Sequence, residues 1–155
     1  MEELRSILLR ELELVVSPLG LQVVELSVYR GKSGINIRTV VYRGGGVTLD
    51  DCERVTRLYN DRLTILEPID ENNYTLQVSS PGIDRVFKDV KEYDIFRSRH
   101  VKMVVDPSIE GSEGGVIQGI LEGLDNDQVQ LRTDEEPQKL LRIPLDSVRK
   151  ARLNG

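Results

Sequence analysis

The chain has 155 residues, with 26 Asp/Glu against 21 Lys/Arg, one histidine and one cysteine. That supply excludes an internal disulfide, a zinc finger and a histidine-rich metal site, and it points to a cytoplasmic setting. Charged residues make up 30% and apolar residues 39%, the balance of a folded domain rather than a disordered chain. With five Tyr, two Phe and no Trp, a core has to come mostly from Val, Leu and Ile. No apolar run approaches membrane-spanning length, and the acidic, periodic start MEELRSILLREL is unlike a signal peptide. Neither half is basic: residues 1–90 hold 11 Lys/Arg against 14 Asp/Glu, and residues 91–155 hold 10 against 12. The net field therefore favours a basic partner over naked RNA.

Leu4, Leu8, Leu12 and Val15 recur at helical steps among charged residues, and Pro18 and Gly20 stop the run. Val24, Leu26 and Val28 alternate as a strand, as do Ile35, Ile37, Thr39 and Val41. Gly31-Lys32-Ser33-Gly34 between them is hairpin chemistry. After the break at Gly44-Gly45-Gly46, Thr48 and Asp51 have the spacing of a capping box. Cys52, Val55, Tyr59 and Leu63 then share a helix face, and Pro68 is the expected stop. Asp70 to Asn73 turns the chain into an alternating strand, Tyr74 to Ser79. The first half reads α-β-β-α-β, a small sheet with helices on one face. Residues 88–98 suggest a short charged helix. Beyond them, five short strands and one helical turn before the last predict a small closed barrel. The expected domains are 1–90 and 91–155.

Candidate chemistry is sparse. His100 beside Arg99 reads as a strand residue rather than a general base. Gly44-Gly45-Gly46 lacks the lysine and hydroxyl of a phosphate loop, and Asp50 and Asp51 would repel an anion at the helix that follows. Asp50 and Asp51 read as caps more than as metal ligands. Ser79 and Ser80 lack the GxSxG elbow, so a serine hydrolase is the weakest reading. Pro81-Gly82 has the composition of a type II turn; alternatively Ser80 caps a short helix begun by Pro81. Asp84 and Lys88 then stand at surface-pair spacing. Neither account explains why Asp84 and Arg85 follow so directly. No catalytic residue, cofactor or metal is nominated.

VTLDDC at 47–52, YTLQVSSPGIDR at 74–85 and RKARL at 149–153, in this order, resemble the ribosome maturation factor RimP family. The resemblance implies an α+β protein: a KH-like α/β domain followed by an SH3-like, Sm-like small β-barrel. It implies a non-enzymatic, monomeric, cytoplasmic factor that binds the small ribosomal subunit during maturation and contacts small-subunit ribosomal protein S twelve. On that reading Ser79, Ser80, Pro81, Gly82, Asp84 and Arg85 position the domains or meet the partner, with Asp50 and Asp51 as weaker candidates. Arg85 would pair with a carboxylate or an rRNA phosphate. The rival reading is an RNA-binding module acting on small-subunit rRNA through Arg99, Lys102, Arg149, Lys150 and Arg152. Few aromatics are available for base stacking, which weighs against single-strand recognition. The chain departs from the family pattern where Tyr42 replaces a common aspartate, Gln77 a glutamate and Val86 a proline. A glycine common before the barrel appears here as Ser98 or a neighbour.

Overall fold

The computed structural model describes residues 2–32, 34–66 and 73–155. The chain divides into two compact units, 1–81 and 82–155. The division falls before the expected 90/91 boundary because residues 83–87 are bonded into the second unit. Phe87 N donates to Ala151 O, Leu153 N to Arg85 O and Gly155 N to Ile83 O.

The first unit runs α1 (Glu2–Val16), β1 (Gln22–Gly31), β2 (Gly34–Tyr42), α2 (Leu49–Leu63) and β3 (Tyr74–Ser79). β1 and β2 form the expected antiparallel hairpin, while β3 lies parallel to β2 after the α2 crossover. Alternation puts Ile35, Ile37 and Val41 on one sheet face, where they pack with Leu8, Leu12, Val55, Tyr59 and Leu63 from the two helices. Thr39 is buried in that row and donates its hydroxyl to Glu25 O at 2.9 Å, so burial leaves no orphan. Ser33, the expected stop at Pro68 and the turn residues 70–72 lie outside the described residues.

The second unit contains α3 (Glu92–Ile95) and the strands β4 (His100–Val105), β5 (Val116–Asp125), β6 (Gln128–Thr133), β7 (Leu140–Pro144) and β8 (Val148–Leu153). A 3-10 turn, Leu145–Ser147, precedes β8 as expected. The strand order is β7-β6-β5-β4-β8, antiparallel throughout. The expectation of a closed barrel is corrected: among the described residues β7 and β8 share no ladder. The outer edge of β8 is already taken by residues 83–87, so its backbone groups are not open to β7. The inner sheet face buries Val101, Met103, Leu121, Leu131 and Leu153. Phe87, Tyr93 and Phe96 form a ring cluster, with centroids 5.2 and 5.3 Å apart across Phe87.

α3 is tied to a bulge in β5. Gly123 there holds φ +128°, and a Cβ at that position would lie 2.8 Å from Arg97 Nε. Asp94 Oδ1 accepts from both Arg97 and the Leu124 amide, which holds the Asp94 carboxyl below the usual aspartate range. Among the described residues no helix is long and apolar enough to cross a membrane.

Candidate partner-binding site

The start of α2 is built from local chemistry. The Asp51 amide donates to Thr48 Oγ1 at 3.0 Å, and the Thr48 amide donates to Asp51 Oδ2 at 2.9 Å. The capping box read from the sequence is therefore formed. Arg43 adds a fork, donating to both Asp51 oxygens at 3.2 and 3.0 Å. The Thr48 amide, more than the guanidinium of Arg43, pulls the Asp51 carboxyl below its ordinary 3.8. Arg43 reaches Asp51 because a tight turn intervenes: Gly46 N donates to Arg43 O, with Gly45 and Gly46 at φ +98° and +112°. The glycine run is thus a reversal that delivers an arginine to a cap. Asp51 is spent on structure, whereas Asp50 is exposed. Cys52 is half-buried rather than core, and burial pushes its thiol up, away from a reactive thiolate.

The motif at 79–85 is split by the division of the chain. In the first unit Ser79 closes β3, its hydroxyl 3.5 Å from Thr39 O, and Ser80 is exposed. In the second unit the turn is Gly82–Arg85, closed by Arg85 N to Gly82 O at 3.3 Å. The type II turn centred on Pro81-Gly82 is corrected: Gly82 opens the turn and does not take positive φ. The alternative, a helix capped by Ser80, is not formed either. Residues 85–87 run extended beside β8, so the helical spacing of Asp84 and Lys88 is not realised. Asp84 is exposed.

Arg85 answers the question left open by the sequence. Its Nε donates to Glu92 Oε1 at 2.7 Å, with side chains 8% and 0% exposed. The other Glu92 oxygen accepts from the Lys88 and Asp89 amides, each at 2.9 Å. One buried carboxylate thus holds the chain entering the second unit and the start of α3. Nothing in the residue pattern announced Glu92. It sits in an ordinary charged stretch, and only the extended path of 85–87 aims Arg85 inward.

The basic candidates separate. Lys102 stands opposite Arg152 in the β4–β8 ladder, and Lys150 stands opposite Val104, all three on the outer sheet face. Arg149 is offset by the bulge between these strands, 3.8 Å from Asp106. Arg99 lies in the bend before β4. His100 directs Nε2 to Asp134 at 2.8 Å, while its Nδ1 lies 3.2 Å from Asn154 Nδ2. Both ring nitrogens are engaged, so the imidazole is not poised over a serine hydroxyl. The departures from the family pattern also find places. Val86 bridges Arg152, and the ladder bonds come from its neighbours Arg85 and Phe87, so its own N–H points away from β8 and a proline would cost no bond there. Gln77 stands beside Arg38 on the exposed strand faces, and Tyr42 ends β2 opposite Gln22. Ser98 holds φ +73°, a backbone state that suits the glycine expected near this position.

An α-β-β-α-β unit followed by a five-stranded antiparallel unit defines a two-unit α+β protein. Residues 11–84 match the family model of the RimP N-terminal domain. Over that stretch, just under half of the chain, the sequence is similar to the RimP family.

Proposed function

We propose that the chain is a non-enzymatic assembly factor that binds the small ribosomal subunit while it matures. In this role it assists the incorporation of a basic ribosomal protein, small-subunit protein S twelve, and works as a cytoplasmic monomer with a KH-like first unit and an SH3-like second one. The observation that carries the reading is the RimP N-terminal domain match over residues 11–84. Charge supports it: the net charge is −5, and each unit holds more Asp/Glu than Lys/Arg. Such a surface attracts a cationic client and speeds encounter without a deep pocket. Exposed Asp50, Asp84 and Ser80 are available for that contact, whereas Asp51 and Arg85 position backbone. The test is co-sedimentation of the purified chain with subunit precursors and with mature subunits, alongside titration of the basic protein over a salt series. Retention on precursors alone, with client binding that weakens as salt rises, is expected. Absence from precursors at low salt would remove the reading.

A further inference from the structure

The outer face of the second sheet runs against the charge of the rest of the chain. Lys102 and Arg152 are directly opposed across β4 and β8, and Lys150 is two residues from Arg152 on the same strand. Adjacent strands stand about 4.8 Å apart and alternate residues about 6.7 Å apart, so the three cations share one small field. Like charges facing each other across a ladder repel. No carboxylate among the described residues forms an ion pair with any of the three. Arg152 instead donates to Leu153 O and Asn154 Oδ1, both neutral. The flanking positions in the same row, Val86 beyond Arg152 and Gln118 beyond Lys102, are uncharged. An acidic chain thus gathers three cations with no direct ion-pair partner on one pleated surface, the nearest carboxylate on that face, Asp134, being engaged with His100.

We propose that this face binds the sugar-phosphate backbone of RNA, with Lys102, Lys150 and Arg152 each neutralising phosphate. Which RNA it meets rests on the maturation-factor reading; that it takes a polyanion rests on the face itself. A flat row of strand-spaced cations suits a chain of regularly repeated charges rather than one enclosed phosphate. The second unit's large rings, Phe87, Tyr93 and Phe96, pack with one another, so the face offers no stacking platform and no base readout. Its exposed apolar side chains include Val86 and Val104 beside the cations and Leu140 at the far edge strand, scattered singly rather than gathered into a patch that would wedge into a bilayer.

The experiment is anisotropy titration of the full chain against fluorescent oligouridylate and a small-subunit rRNA transcript across a salt series. Three phosphate contacts give a log–log salt slope of about −2 to −3. Lys102→Gln, Lys150→Gln and Arg152→Gln together are expected to flatten that slope and weaken binding roughly tenfold or more at low salt. A control, Lys139→Gln with Arg142→Gln, keeps affinity and slope. Unfolding curves matching the unsubstituted chain confirm that the triple variant is folded. Wild-type affinity and slope in a folded triple variant would overturn the proposal, as would tighter binding of phosphatidylserine vesicles than of RNA through the same residues. Precursor co-sedimentation of the unsubstituted chain is scored separately, so this site can fail while the maturation-factor reading stands, and the reverse.

Discussion

Arg85 meets a fully buried carboxylate, and the cost of separating them falls on whichever charge is left behind. Removing one partner of such a pair costs about 3–5 kcal/mol, whereas replacing both with apolar residues is often neutral. Arg85→Ala is therefore expected to lower the denaturant midpoint of the second unit sharply, and Arg85→Met with Glu92→Gln, which keeps an oxygen for the Lys88 and Asp89 amides, to restore part of it. Equal loss in both variants would mean that the ion pair is not what holds residues 82–92. Ser98 offers the opposite sign. It sits in the left-handed region while its amide donates to Leu121 O at 2.7 Å, so the backbone is held there by a bond that a side chain does not need. Ser98→Gly is expected to stabilise by up to about 1 kcal/mol, read as a raised Tm, since a left-handed L-residue costs about 1–2 kcal/mol and glycine repays part of that as chain entropy.

Among elements, α2 is the one whose behaviour follows most directly from local rules, because its cap and its apolar face both lie within a few residues. Its attachment to α1 does not. Tyr59 is buried and donates its hydroxyl to Leu8 O at 2.8 Å, and Arg62 pairs with Glu11 one turn further on. Burial, then the nearby Glu11 charge, pushes the Tyr59 phenol well up, so it remains a donor throughout the working range. Tyr59→Phe keeps the ring and removes the bond. A loss of about 0.5–1.5 kcal/mol is expected in chemical denaturation, with the helix content in circular dichroism unchanged. The spacing of apolar residues placed Tyr59 in the core; which carbonyl its hydroxyl would reach was set by the helix pairing. The edge of β8 is the counterpart in the second unit. Five strands were legible from alternation, but the segment that occupies that edge was read as turn and linker, and that is why a barrel was expected where an open order is found.

At the scale of the molecule, three carboxylates share one pH response. Asp51 is held below 3.8 mainly by the Thr48 amide, Asp94 mainly by Arg97, and Asp106 mainly by the Ser108 amide. A carboxylate with a depressed folded pKa stabilises the fold fully above its unfolded value of about 3.8, and that contribution is lost as pH falls through the lower folded values. Thermal unfolding is therefore expected to be insensitive to these groups at neutral pH and to lose Tm below about pH 4. Asp51→Asn should blunt the acid loss, and an unchanged acid limb would mean that its cap is not coupled to folding. The same molecule carries an acidic net charge and a basic sheet face, and only pairing across strands separates the two. In sequence Lys102 and Arg152 are fifty residues apart.

Element type and order, the capping box and the excess of acid were determined by the sequence alone, because each depends on spacing within a few residues or on composition. The partners of Arg43, Arg85 and Tyr59, the open strand order and the shared face of Lys102, Lys150 and Arg152 were decided by tertiary structure. Each depends on where distant backbone segments come to lie, and burial and strand register, rather than local propensity, set that.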